Sequence, residues 1–120
     1  MTRRDDVLLI EDILKHAKEA KAACSQLTFD TFKINKTIIK ATLHDIQTIG
    51  EAASRISTDI QERYSEVPWA QMISIRNVIV HHYFELDHEV IWQTVTKDLP
   101  LLIKQLEKVF KELKKAKLKK

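Results

Sequence analysis

A single glycine and two prolines among 120 residues leave almost no material for tight hairpins. Cysteine occurs once, at Cys24, which excludes an internal disulfide and a thiolate metal cage. Its expected place is as a small core residue on the first helix. No apolar run approaches the roughly 20 residues that cross a bilayer. No secretory leader is recognisable at the start. A cytoplasmic protein without membrane contact is the expectation. Basic residues and aromatics are nowhere interleaved into a stacking platform, so no sequence-reading surface for single strands is visible.

What the chain does contain is apolar residues at helical spacing. The expected fold is all-α, an antiparallel bundle of four to five helices with one or two kinked. A chain of 120 residues makes one domain, 1–120, and buries roughly two-thirds of its unfolded surface. Val7, Ile10, Leu14, Ala17, Cys24 and Leu27 predict a first helix over Asp5 to Gln26, with Thr2 or Asp5 as its cap. His16 lies among charges and reads as a surface residue. Thr28 starts a second helical segment as its cap, and a stripe runs from Phe29 to Ile60 with a bend near Ile34 to Lys36. His44 and Asp45 read as solvent-facing. Gly50 interrupts that helix, at a cost of about 1 kcal/mol relative to alanine, and its simplest use is to let another helix approach closely. Residues Gln61 to Val67 read as the clearest loop. Asp98-Leu99-Pro100 predicts a kink or restart in the last helical region.

The net charge is only +3, yet six lysines and one acid follow from Lys111 to the end. A basic tail from about residue 111 can attract phosphate. A solvated helix end whose lysines complement the dipole accounts for it as well.

The stretch Pro68 to Trp92 is different in kind. Arg76, Asn77, His81, His82 and Tyr83 sit inside an otherwise apolar run, where polar groups are expensive to bury without purpose. On an ideal helix Met72, Ile75, Ile79 and Leu86 form a core stripe with Val78 at its margin. Trp69, Ile73, Val80 and Phe84 form a second apolar face, which a subunit interface would cover. Arg76 and Tyr83, seven apart, return to one side. Arg76 and His81, five apart, diverge by about 140°. They act together only if the helix loosens near His81 or if a second subunit supplies one of them. Asp87 is the expected stop of this helix and cap of the next.

Arg76-x4-His81-x-Tyr83, with Asn77 after the arginine, resembles the signature of the HEPN ribonucleases, and of the HepT toxins of HepT/MntA toxin–antitoxin pairs in particular. Ile49-Gly50-Glu51-Ala52-Ala53 upstream, Trp69, and Val90-Ile91-Trp92 downstream fit the same family. The resemblance covers nearly the whole chain. It implies metal-independent endoribonuclease chemistry with no cofactor, Arg76 and His81 as the catalytic pair, and a homodimer whose interface forms the cleft. It also implies that an MntA-like nucleotidyltransferase antitoxin transfers AMP to Tyr83. Asn77 and Glu51 are supporting candidates, Asn77 to orient His81 or donate to phosphate and Glu51 as the carboxylate that holds Arg76. The residue types suit the reaction on their own terms. Histidine carries protons near neutrality, and arginine meets phosphate oxygens in pairs without losing its charge.

Other readings stay open at this point. Arg76 can be a structural ion-pair partner, and His81 or Tyr83 an interface residue. His82 reads as structural. His81, Glu85 and His88 share a face if the helix continues, and three such ligands can hold zinc. The chain can also be a non-catalytic helical partner that binds substrate for a nucleotidyltransferase.

Overall fold

The structure, a computed structural model, describes residues 3–118 and, among these, every side chain except those of Arg3, Arg4, Phe84, Lys117 and Leu118. Thr2 as a cap therefore lies outside the described residues, and so does the side chain of Phe84 in the second apolar face. The described residues are mostly helical, and none of them forms a strand. Its helices are α1 (Arg3–Cys24), α2 (Phe29–Phe32), α3 (Lys36–Arg55), α4 (Thr58–Arg63), α5 (Trp69–His81), α6 (His88–Gln93) and α7 (Leu99–Leu118). A 3-10 turn, Tyr83–Glu85, follows α5, and a π-helical stretch, Thr94–Asp98, joins α6 to α7.

Four long segments build the bundle. α1 packs on both α3 and α7, and α3 packs on α5. The α1–α3 pair is antiparallel, since Asp6 meets Ser57, His16 meets Asp45 and Cys24 meets Thr42. α1 contributes Val7, Ile10, Ile13, Leu14, Ala17, Ala20 and Cys24 to the core, and α7 contributes Leu102, Ile103, Leu106, Val109 and Leu113. Each large aliphatic buried in this way stabilises the fold by about 1.5–3 kcal/mol.

The helix boundaries have local causes. Thr28 caps α2 with a reciprocal bond to Thr31. The expected bend near Ile34–Lys36 is a full break, because the Asn35 side chain accepts from the Ile38 N–H and starts α3 afresh. The long second helix is also cut once more. Ile56 is extended, Ser57 caps α4, and buried Asp6 accepts from the Ser57 N–H at 2.9 Å and its hydroxyl at 2.7 Å. Helix α4 then takes the first three residues of the expected 61–67 loop. Near the end, Pro100 cannot donate to the Thr96 carbonyl. The helix widens instead of breaking, and the Leu99 N–H donates to Thr94 O five residues back. That is the form the expected kink at Asp98-Leu99-Pro100 takes.

Two surface assignments are overturned. His16 is half-buried and Asp45 is buried, because the two face each other across the α1–α3 contact with His16 Nδ1 2.8 Å from Asp45 Oδ1. His44 is exposed, as expected. Cys24 is buried on the first helix, also as expected, and burial pushes its thiol pKa up while the Thr42 hydrogen bond opposes this.

Candidate active site

Helix α5 reads Trp-Ala-Gln-Met-Ile-Ser-Ile-Arg-Asn-Val-Ile-Val-His. Met72 and Ile79 are buried in the bundle core, with Ile75 half-buried beside them. Val78 is 42% exposed and does not join that stripe. Trp69 leaves the second apolar face as well. It is buried in the core, and its indole N–H donates to Tyr64 O at 3.0 Å. Ile73 is half-buried and Val80 is exposed.

Arg76 is placed by Gly50. A Cβ built on Gly50 would collide with the Cβ of Arg76 and lie 2.7 Å from Met72 O and 2.9 Å from Arg76 Cγ. Only glycine lets α3 and α5 come this close, so the single glycine of the chain sits directly under the arginine. The guanidinium then reaches two neighbours. Nη1 donates to Asn77 Oδ1 at 2.9 Å, and Nη2 lies 3.6 Å from Glu51 Oε1. Gln47 Nε2 donates to the same Glu51 oxygen at 3.3 Å. At 3.6 Å between half-exposed groups the Glu51 contact is an ion pair worth ~1 kcal/mol or less. Arg76 Nε is buried and has no hydrogen-bond partner among the described residues. The arginine is thus oriented by Asn77 and Glu51 while its donor capacity is far from used up.

His81 is the last residue of α5 and is exposed. The helix stays regular to that point, and the His82 N–H still donates to Val78 O. The loosening comes only at His82, with φ −133° and ψ 36°. Arg76 and His81 therefore diverge by about 140° around one helix. One chain does not bring them together. The helix also ends well before Asp87, because Val78 to Tyr83 is a run of β-branched, imidazole and aromatic residues of modest helix propensity. Asp87 does cap α6, by accepting from the Glu89 N–H at 2.9 Å.

This early end moves Tyr83. It lies on the 3-10 turn, so the seven-residue return to the face of Arg76 does not occur. Tyr83 is 46% exposed and lines a groove of about 370 Å³ with Lys40, His44 and Gln47 of α3 and with Ile79 and Val80 of α5. Lys40, His44, Gln47 and Glu51 were missed as a set by sequence reasoning. Their spacing of four, three and four makes them one polar stripe on α3, and that signal was available.

The zinc reading of His81, Glu85 and His88 fails on the same break. A 3-10 turn and a cap separate them, and no common helix face remains. His82 is exposed and lies 3.7 Å from Glu85, so it is a surface residue and not a core one. Among the described residues, the one group with metal-compatible spacing is His16, Glu19 and Asp45, whose short His16–Asp45 contact is accounted for by a hydrogen bond across α1 and α3.

Comparisons with known proteins give a consistent picture. The profile of the family described as "Ribonuclease HepT-like" matches residues 13–109. "Putative RNase MJ0127" of Methanocaldococcus jannaschii is 33% identical over 113 residues, covering 94% of this chain and 93% of that one. "Putative RNase MJ1380" of the same organism is 33% identical over 107 residues, covering 89% of this chain and 98% of that one. "Probable ribonuclease HepT" of Thermococcus cleftensis is 31% identical over 102 residues, covering 85% and 93%. No solved structure matches.

Proposed function

The chain belongs to the HepT-like ribonuclease family, and from that premise we propose that it is an endoribonuclease that cuts RNA without a metal at a cleft shared by two copies of the chain. The observation that carries this reading is the divergence of Arg76 and His81 on a regular helix, with Arg76 paired to Glu51 of α3 and His81 exposed. A two-fold axis crossing α5 between Arg76 and His81 would bring the arginine of one copy level with the histidine of the other.

The chemistry follows from the side chains. One His81 takes the proton of the RNA 2′-hydroxyl, and that oxygen attacks the adjacent phosphorus. The bond to the 5′-oxygen breaks. The leaving oxygen takes a proton from the His81 imidazolium of the second copy. Arg76 neutralises the charge that builds on the equatorial oxygens, its orientation already set by Asn77 and Glu51. The products end in a 2′,3′-cyclic phosphate and a 5′-hydroxyl.

Silencing falls to Tyr83. Its phenol oxygen attacks the α-phosphorus of ATP on a nucleotidyltransferase antitoxin, pyrophosphate leaves, and AMP stays on the tyrosine. The added phosphate enters the groove that Tyr83 lines with Lys40 and His44, beside Ile79 and Val80 of α5. It blocks the RNA by charge and volume there, without contacting Arg76.

Arg76→Ala and His81→Ala should each abolish RNA cleavage while leaving helical content unchanged, and a chelator should have no effect. A His81→Ala protein that cuts RNA at the wild-type rate refutes the mechanism. Mass spectrometry of protein co-expressed with the nucleotidyltransferase should find AMP on the Tyr83 peptide. An unmodified Tyr83 in a silenced pair refutes the control.

A further inference from the structure

Arg76 and His81 fix one phosphodiester, but they do not account for where the chain keeps its positive charge. Lys18 and Glu107 pair at 3.4 Å across the antiparallel α1–α7 contact. Around that pair the two helices leave an open groove of about 1090 Å³. Lys15 and Lys18 stand on its α1 wall, and Lys108, Lys111, Lys114 and Lys115 on its α7 wall. Only Glu11 and Glu107 oppose them among the lining residues. The excess of positive charge in this one groove is larger than the net charge of +3 of the whole chain. The rest of the molecule is close to neutral. The sequence did not reveal this, because Lys15 and Lys111 are almost a full chain length apart.

We propose that the α1–α7 groove is a phosphate-backbone track that holds the body of the RNA substrate, separate from the cleft that cuts it. The proposal rests on the ribonuclease reading for the identity of the polyanion. Rows of lysines three and four apart put charges roughly every 4.5–6 Å along each wall. Ammonium groups on flexible stems suit a repeating backbone that is bound without regard to sequence. An acidic protein surface fits less well. Phe110 is the one aromatic in the groove, and the Lys114 ammonium sits 5.1 Å above its ring. Leu14 and Phe110 supply the apolar floor, and six lysines against two glutamates ring it, a charge balance that favours a polyanion. The principal extents of 50 × 29 × 21 Å keep groove and cleft within one protomer length, which a folded RNA spans.

The test uses the full chain with Lys15→Ala, Lys111→Ala and Lys114→Ala combined. All three side chains are exposed, so the fold should survive. A matched control carries Lys33→Ala, Lys36→Ala and Lys97→Ala, outside the groove. Binding of a fluorescent RNA stem-loop is followed against salt in a His81→Ala background, and cleavage is followed in the active background on the stem-loop and on a dinucleotide. The groove variant should bind about tenfold more weakly, and its log–log salt slope should flatten by about 2–3, one counterion per lost contact. In cleavage, KM for the stem-loop should rise while kcat and dinucleotide turnover stay as they were. The control should change none of these. Equal losses in groove variant and control mean diffuse attraction and overturn the proposal. So does a groove variant with unchanged RNA binding, including one that has instead lost binding to its nucleotidyltransferase. If the wild type cuts no RNA, the ribonuclease reading falls, while the salt slope still decides the groove.

Discussion

Replacing Gly50 with alanine tests whether the chain's one glycine sets the position of its arginine. The new methyl would overlap Arg76 Cβ and sit 2.7 Å from Met72 O. Neither atom can swing away, since one is a backbone carbonyl and the other is bonded directly to Cα. Helix α5 must retreat by about an ångström before the contact becomes ordinary. Overpacking of this kind costs about 1–3 kcal/mol, and a rigid backbone neighbour places it at the upper end. Alanine returns about 1 kcal/mol through helix propensity. The net is a loss of about 2 kcal/mol, which lowers Tm by about 5–10 °C for a chain of this size. Thermal unfolding followed by circular dichroism measures it. The double mutants are more telling. Arg76→Ala keeps the Cβ, so Gly50→Ala should cost nearly as much in that background. Arg76→Gly removes Cβ and Cγ, and part of the cost should disappear, with the Met72 carbonyl retaining the rest. A Gly50→Ala protein as stable as the parent, or one rescued equally by Arg76→Ala, refutes the close-approach argument.

Three further outcomes follow from buried polar groups. Asp6→Ala leaves the Ser57 N–H and hydroxyl without their acceptor at the α3–α4 junction, and urea unfolding should register a loss of about 1–3 kcal/mol with no change in helix count. His16→Ala strands buried Asp45, and the same assay should give a loss of similar size, whereas His44→Ala on the exposed side should change stability by less than about 0.5 kcal/mol. Cys24 should resist a thiol reagent at pH 8 in the native protein and react quickly in denaturant, because burial raises its pKa and keeps the unreactive thiol form; fast native labelling contradicts that burial.

The bundle was legible because its core stripes are long and strictly periodic, as in α1 and α7. The close approach at Gly50 was legible because an isolated glycine in a good helix has few other uses. What the sequence hid was local. Asn35 and Ser57 are ordinary polar residues until their side chains are seen capping α3 and α4, so two breaks read as a bend and a continuous helix. His16 and Asp45 looked exposed because their partners are 29 positions apart. Trp69 looked like an interface residue because an apolar side chain on the far face of a helix can equally be claimed by a loop. Here the Tyr64 carbonyl claims it. In the site itself, Arg76 meets Glu51 as expected, Asn77 accepts from Arg76 instead of serving His81 or a phosphate, and His81 and Tyr83 do not join them within the chain.

That separation bears on assembly. Among the described residues, four of the seven exposed large hydrophobics fall between Val78 and Val90: Val78, Val80, Tyr83 and Val90. They flank His81 in sequence, Val78 and Val80 on the last turn of α5, Tyr83 on the 3-10 turn and Val90 on α6. Val78 and Val90 line one groove and Val80 and Tyr83 another, and apolar exposure concentrated on one short segment marks a contact surface more often than scattered exposure does. The same end of α5 carries His81, the proposed partner of Arg76, away from that arginine. A second copy packed there by two-fold symmetry would answer both at once, since it would cover the valines and bring an Arg76 already held by Asn77 and Glu51. The two demands are independent, one from burial and one from reaction geometry. Val80→Glu separates them from chance: it leaves Arg76, His81 and the core untouched, yet it places a charge in the proposed contact. Sedimentation should then give about 14.0 kDa instead of twice that, and cleavage should be lost with dimerisation. A Val80→Glu monomer that still cuts RNA would mean that one chain holds a complete site, and the shared cleft would be wrong.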